Sequence, residues 1–88
     1  MPRITFYNKD ELLKWCNLFV KPENYVGYTT VDCEIILEPR KSTRPSRFAF
    51  FNARDESMND LVKEIADKTG ITFIKIAKYE WDTERMSR

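Results

Sequence analysis

Two pairs of carboxylates are the residues of this 88-residue chain whose type and spacing best suit chemistry. Asp32 and Glu34 stand two apart, which puts both on one face of a strand, and Asp55 and Glu56 precede a helical pattern. Paired carboxylates can hold a divalent cation or divide acid and base work between them. They serve equally as solvated strand-face acids, or as charges that offset a helix dipole, and nothing else in the sequence converges on either pair. There is no histidine, so the commonest general base and the commonest zinc ligand are both missing. Cys16 and Cys33 form no Cys-x-x-Cys pair, and Ser42, Ser46, Ser57 and Ser87 have no histidine to activate them. Gly27 and Gly70 are the two glycines, which excludes a glycine-rich phosphate loop. The expectation is a chain that is not an enzyme and takes no cofactor or metal.

The composition agrees with a binding role. Apolar residues at 42% and charged residues at 33% give a globular balance. The length suits one compact domain over residues 1–81, with residues 82–88 as a polar tail. A net charge of +1 lacks the general basic excess of proteins that live on phosphates. Locally, however, Arg40, Lys41, Arg44 and Arg47 follow one another with no acid between them. Two cysteines are too few for a disulfide frame, and no apolar run approaches the roughly 18 residues of a membrane span. With no signal-peptide pattern at Met1, a cytoplasmic protein with reduced thiols is expected.

Certain elements must position these residues. Ile4 to Tyr7 is a short β-prone run, and Asn8 with Glu11 makes an Asn-x-x-Glu helix start. Leu12, Leu13, Trp15, Cys16, Phe19 and Val20 then recur at helical spacing as one wide apolar face, which Pro22 limits. Residues 21–30, with Tyr25, Gly27 and Tyr28, read as a loop, with an early start of the following strand as the alternative. From Val31 the period becomes two: Val31, Cys33, Ile35 and Leu37 alternate with Asp32, Glu34, Ile36 and Glu38. A basic turn leads to Arg47–Ala53, which is apolar on both faces and suits a central strand. Ser57 starts a second helix with Met58, Leu61, Val62, Ile65 and Ala66 on one side, and Gly70 closes it. Ile71 to about Tyr79 reads as a last strand. The order β-α-β-β-α-β predicts an α+β, ferredoxin-like fold: a four-stranded antiparallel sheet with two helices on one face.

In that fold, Ala49, Phe51 and Ala53 face the helices, and Phe48 and Phe50 point to the open side with Tyr7 beside them. A one-residue slip of register would reverse this and put Phe48 and Phe50 in the core. The element order, with Ile4-Thr5-Phe6-Tyr7-Asn8 and Arg47-Phe48-Ala49-Phe50-Phe51, resembles an RNA-recognition motif. The resemblance implies base stacking on Phe48 and Phe50 and phosphate contacts from Arg40, Lys41 and Arg44. The chain departs from the family pattern in having Arg47 where a glycine is usual and Thr5 where an aromatic is usual. Asp32 and Glu34 would also set negative charge on the open face.

Two functional classes follow. The leading one is a non-catalytic regulator, an adaptor or inhibitor of the kind viruses and phages make, that binds a protein partner. The candidate partner-binding residues are Tyr7, Phe48, Phe50, Arg40, Lys41, Arg44 and Arg47, the side-chain types that carry interface energy. A homodimer contact is a further use for exposed rings. The alternative is a single-stranded RNA- or DNA-binding module that uses the open sheet face and the basic loop. No membrane partner is expected.

Overall fold

The computed structural model describes residues 3–40, 47–54 and 57–80. Helix α1 (Lys9–Phe19) starts where the sequence predicts. Asn8 is extended, and its side-chain oxygen accepts the Asp10 N–H at 2.7 Å, satisfying one of the helix's orphan donors. The helix ends at Val20, whose N–H donates to the Cys16 carbonyl at 2.9 Å. Helix α2 (Met58–Thr69) follows Ser57 and closes on Gly70. At a φ of +82°, Gly70 adopts the left-handed conformation that only glycine takes without strain, and its N–H reaches the Ala66 carbonyl.

The described residues form five strands: β1 (Arg3–Phe6), β2 (Tyr25–Thr29), β3 (Glu34–Pro39), β4 (Phe48–Asn52) and β5 (Phe73–Lys75). Their order is β1-β4-β3-β2-β5. Strand β3 pairs antiparallel with β2 and β4, while β1–β4 and β2–β5 are parallel. The α+β class holds, but the expected four-stranded antiparallel sheet is replaced by a five-stranded mixed one.

The added strand explains the difference. Residues 25–29 lie within what the sequence presents as a loop, yet they form β2, every residue of which pairs with β3. The period-two pattern from Val31 is also misleading at its start. Residues 30–33 are a turn in which Thr30 N–H donates to the Glu34 carbonyl and Cys33 N–H donates to that of Thr30. Cys33 sits there at a φ of +62°. With β2 present, α1 carries the chain three places across the sheet from β1 to β2, and α2 carries it three places from β4 to β5.

Gly27 hides β2 in the sequence, because a glycine weakens a strand unless something needs its space. Here the Phe73 ring lies over it, and a Cβ at residue 27 would fall 2.5 Å from two ring carbons. Gly27→Ala should therefore destabilise the protein by about 1–3 kcal/mol through overpacking. A urea melt reads this directly, and an unchanged midpoint would mean that the ring moves aside freely.

Each face of the sheet has its own core. Leu12 and Cys16 of α1 and Leu61 and Ile65 of α2 pack with Ile35, Leu37, Ala49 and Phe51, so both helices cover the same face. On the other face Ile36, Phe48 and Tyr79 are buried together, with Tyr28, Phe50 and Ile76 against them. Tyr79 is not in a strand. Strand β5 ends at Lys75, Ile76 N–H bonds to the Thr29 carbonyl at 2.8 Å, and Tyr79 lies against the second face.

Candidate functional site

Register decides where the proposed stacking residues point. Thr5, Phe50, Ile36, Tyr28 and Ile74 form one cross-strand row over all five strands. Phe48 and Phe50 face away from the helices, as the preferred register has it, but that face is not open at Phe48. Phe48 is 3% exposed and packs on the Tyr79 ring, which also contacts Tyr28. The Tyr79 hydroxyl donates to Glu38 Oε1 at 3.0 Å. Phe50 is half-buried, and the Arg3 guanidinium lies 5.6 Å from its ring centroid, within cation–π range.

Tyr7 does not join these rings. It follows the end of β1 and is 88% exposed. Arg47 precedes β4, and because β1 and β4 are parallel, Tyr7 and Arg47 lie at opposite ends of the sheet. Lys41 and Arg44 lie outside the described residues, as do Asp55, Glu56 and the tail. Asp32 is exposed in the turn, and the Glu34 carboxylate accepts the Thr30 hydroxyl at 3.1 Å. Among the described residues no group of three or more histidine, cysteine or acidic side chains is placed to hold a metal.

The cysteines differ in environment. Cys16 is buried, and burial pushes its thiol up to about 12, leaving it protonated and inert. Cys33 is partly exposed. A thiol reagent at pH 8 should modify Cys33 quickly and Cys16 only as fast as the protein unfolds. Equal rates would show that the helix-side core opens locally. The pH dependence has a definite sign: the folded state favours the neutral Cys16 thiol, so this contribution is intact below pH 9. It is lost as pH rises toward 12, because only the unfolded thiol ionises there.

A different surface emerges at the end of α1. Leu18 and Phe19 are 63% and 53% exposed. Leu18 lies two residues past the buried Cys16, about 200° round the helix, and so faces away from the core. Phe19 belongs to the apolar face expected from periodicity, yet it projects from the helix's last turn. It packs beside the half-buried Trp15, which also contacts Phe6 and Tyr25, each at 5.6–5.7 Å between ring centroids. The clue to Leu18 was available in the sequence, as it falls off the helical stripe and nothing local requires an apolar residue there.

Hydrogen bonds fasten this patch to two of the expected arginines. Asn24 Nδ2 donates to the Phe19 carbonyl at 3.0 Å, and Asn24 Oδ1 accepts the Lys21 N–H at 2.7 Å. Arg40 N–H donates to the Asn24 carbonyl, and Arg40 Nε to that of Pro22, both at 2.9 Å. The Tyr25 hydroxyl donates to the Arg47 carbonyl at 2.7 Å. Thus the α1 terminus, the turn at 21–24 and the adjoining ends of β3 and β4 form one tied unit. It presents exposed Leu18 and Phe19 beside exposed Lys21, Arg40 and Arg47, with Glu23 as the acid of the turn.

No helix among the described residues is long and apolar enough to cross a membrane. Comparisons with protein-family models, curated proteins and solved structures found no match to this chain.

Proposed function

We propose that this chain is a non-catalytic regulatory module of the cytoplasm that acts by docking onto a protein partner. The observation that carries this reading is the pair Leu18 and Phe19, exposed on a helix end that hydrogen bonds hold in place. Exposed apolar side chains on a pre-ordered support lose little entropy on binding and bury area that water otherwise covers.

A second reading, single-stranded nucleic acid on the sheet face, draws on the register that turns Phe48 and Phe50 away from the helices. For a base to stack on Phe48, Tyr79 must first leave, and Glu34 and Glu38 share that face. These costs place the protein partner first.

The test is chemical cross-linking in an extract of the cells that make the protein, with wild type and Leu18→Asp side by side. It is paired with anisotropy titrations of labelled single-stranded RNA and DNA at two salt concentrations. One protein cross-linked near residues 14–21 and lost in Leu18→Asp supports docking. Micromolar nucleic acid binding that weakens steeply with salt and ignores Leu18→Asp overturns it.

A further inference from the structure

The charges around Leu18 and Phe19 specify what kind of partner fits there. Resting on the docking role proposed above, we infer that the partner presents an acidic peptide segment carrying a bulky apolar side chain. Lys21, Arg40 and Arg47 are exposed at this end, and among the described residues none of the three makes an ion pair. Lys14, one helical turn before Leu18, adds a fourth exposed cation. The acids nearest in sequence are Glu11, Glu23 and Glu38; the Glu38 carboxylate accepts the Tyr79 hydroxyl on the second face of the sheet, so positive charge prevails at this end.

Arg40 is more than a point charge. Its Nε is committed to the Pro22 carbonyl at 2.9 Å, which fixes the guanidinium plane and leaves the Nη pair as the group that takes a carboxylate. The same bond ties it to the turn that holds the Phe19 carbonyl through Asn24. An apolar anchor beside an ordered guanidinium suits a peptide in which Asp or Glu flanks Leu, Ile or Phe. Leu18, the more exposed member of the pair, is aliphatic and offers no ring on which a base could stack. A membrane surface is also a poor fit, because interfacial helices need a long free apolar face, whereas Leu12 and Cys16 are buried in the core.

A short fluorescein-labelled peptide of Glu, Asp, Leu and Phe tests this, with three competitors: its Gln/Asn counterpart, poly-glutamate and phosphatidylserine vesicles. Binding is read by anisotropy and by Trp15 emission in a Trp81→Phe background, since Trp15 touches Phe19. The acidic apolar peptide should bind, weaken with salt, shift Trp15 emission, and lose affinity about tenfold with Lys21→Glu and with Arg40→Glu. Lys21→Glu keeps the test valid if Arg40→Glu disturbs the turn, and circular dichroism checks both folds. The inference fails if the Gln/Asn peptide binds equally well, if poly-glutamate or vesicles bind better, or if no peptide binds up to its solubility limit. Its failure is separable from failure of the docking role. If Lys21→Glu and Arg40→Glu leave the cross-linked partner intact while Leu18→Asp removes it, docking stands and the acidic partner does not. If Leu18→Asp also leaves the partner intact, both fall.

Discussion

Tyr79→Ala should lower the unfolding free energy by about 3 kcal/mol, although Tyr79 belongs to no strand or helix. The ring closes the second face, packing on Phe48 and Tyr28 and burying Ile36 beneath the same cluster. Removing it leaves aromatic surface against water, where no neighbouring element covers the gap among the described residues. Tyr79→Phe should cost much less, about 1 kcal/mol, because the ring stays in place while the hydroxyl's bond to Glu38 is lost. Urea melts of the two variants separate packing from hydrogen bonding, and a hydrophobic dye should bind the alanine variant under native conditions. Equal costs for the two substitutions would mean that the ring contributes little beyond its hydroxyl.

The second large effect is expected at Ile36. A sheet with helices on one face and solvent on the other would tolerate Ile36→Ala almost without loss. Here Ile36 is as fully buried as Ile65, which lies in the helix-side core. Each change to alanine should therefore cost about 3 kcal/mol, as the cavity left on either side of the sheet lacks atoms to fill it. If Ile65→Ala destabilises the protein while Ile36→Ala does not, the chain has a single core and the second face is open in solution.

These two residues mark the boundary between local and tertiary information. The sequence by itself determined the helices, because their causes are local: Asn8 accepts its cap bond, Gly70 takes the left-handed conformation, and Leu12, Cys16, Leu61 and Ile65 face inward at helical spacing. It also determined that Phe48 and Phe50 lie opposite to Ala49 and Phe51, since alternation requires it, while which set meets the helices was left to the register. Among the expected site residues, Arg40 and Arg47 do come together at one end of the sheet, whereas Tyr7 lies at the other.

Only the tertiary structure decided the rest. Strand β2 is only faintly legible locally, as an early start of the next strand, because the reason for Gly27 is the Phe73 ring, which lies forty-six residues further along the chain. The turn at residues 30–33 is concealed by side chains that keep strand periodicity while the backbone at Cys33 does not. The run from Ile71 to Tyr79 looks like one strand by composition, but its apolar residues go to different places: Ile71 and Phe73 to the helix side, Ile76 and Tyr79 to the second face. Periodicity reports that a residue will be buried. Whether Tyr79 closes the second face, or Phe19 projects from the end of its helix, depends on which distant surface meets it, and that is settled only when the strands take their order.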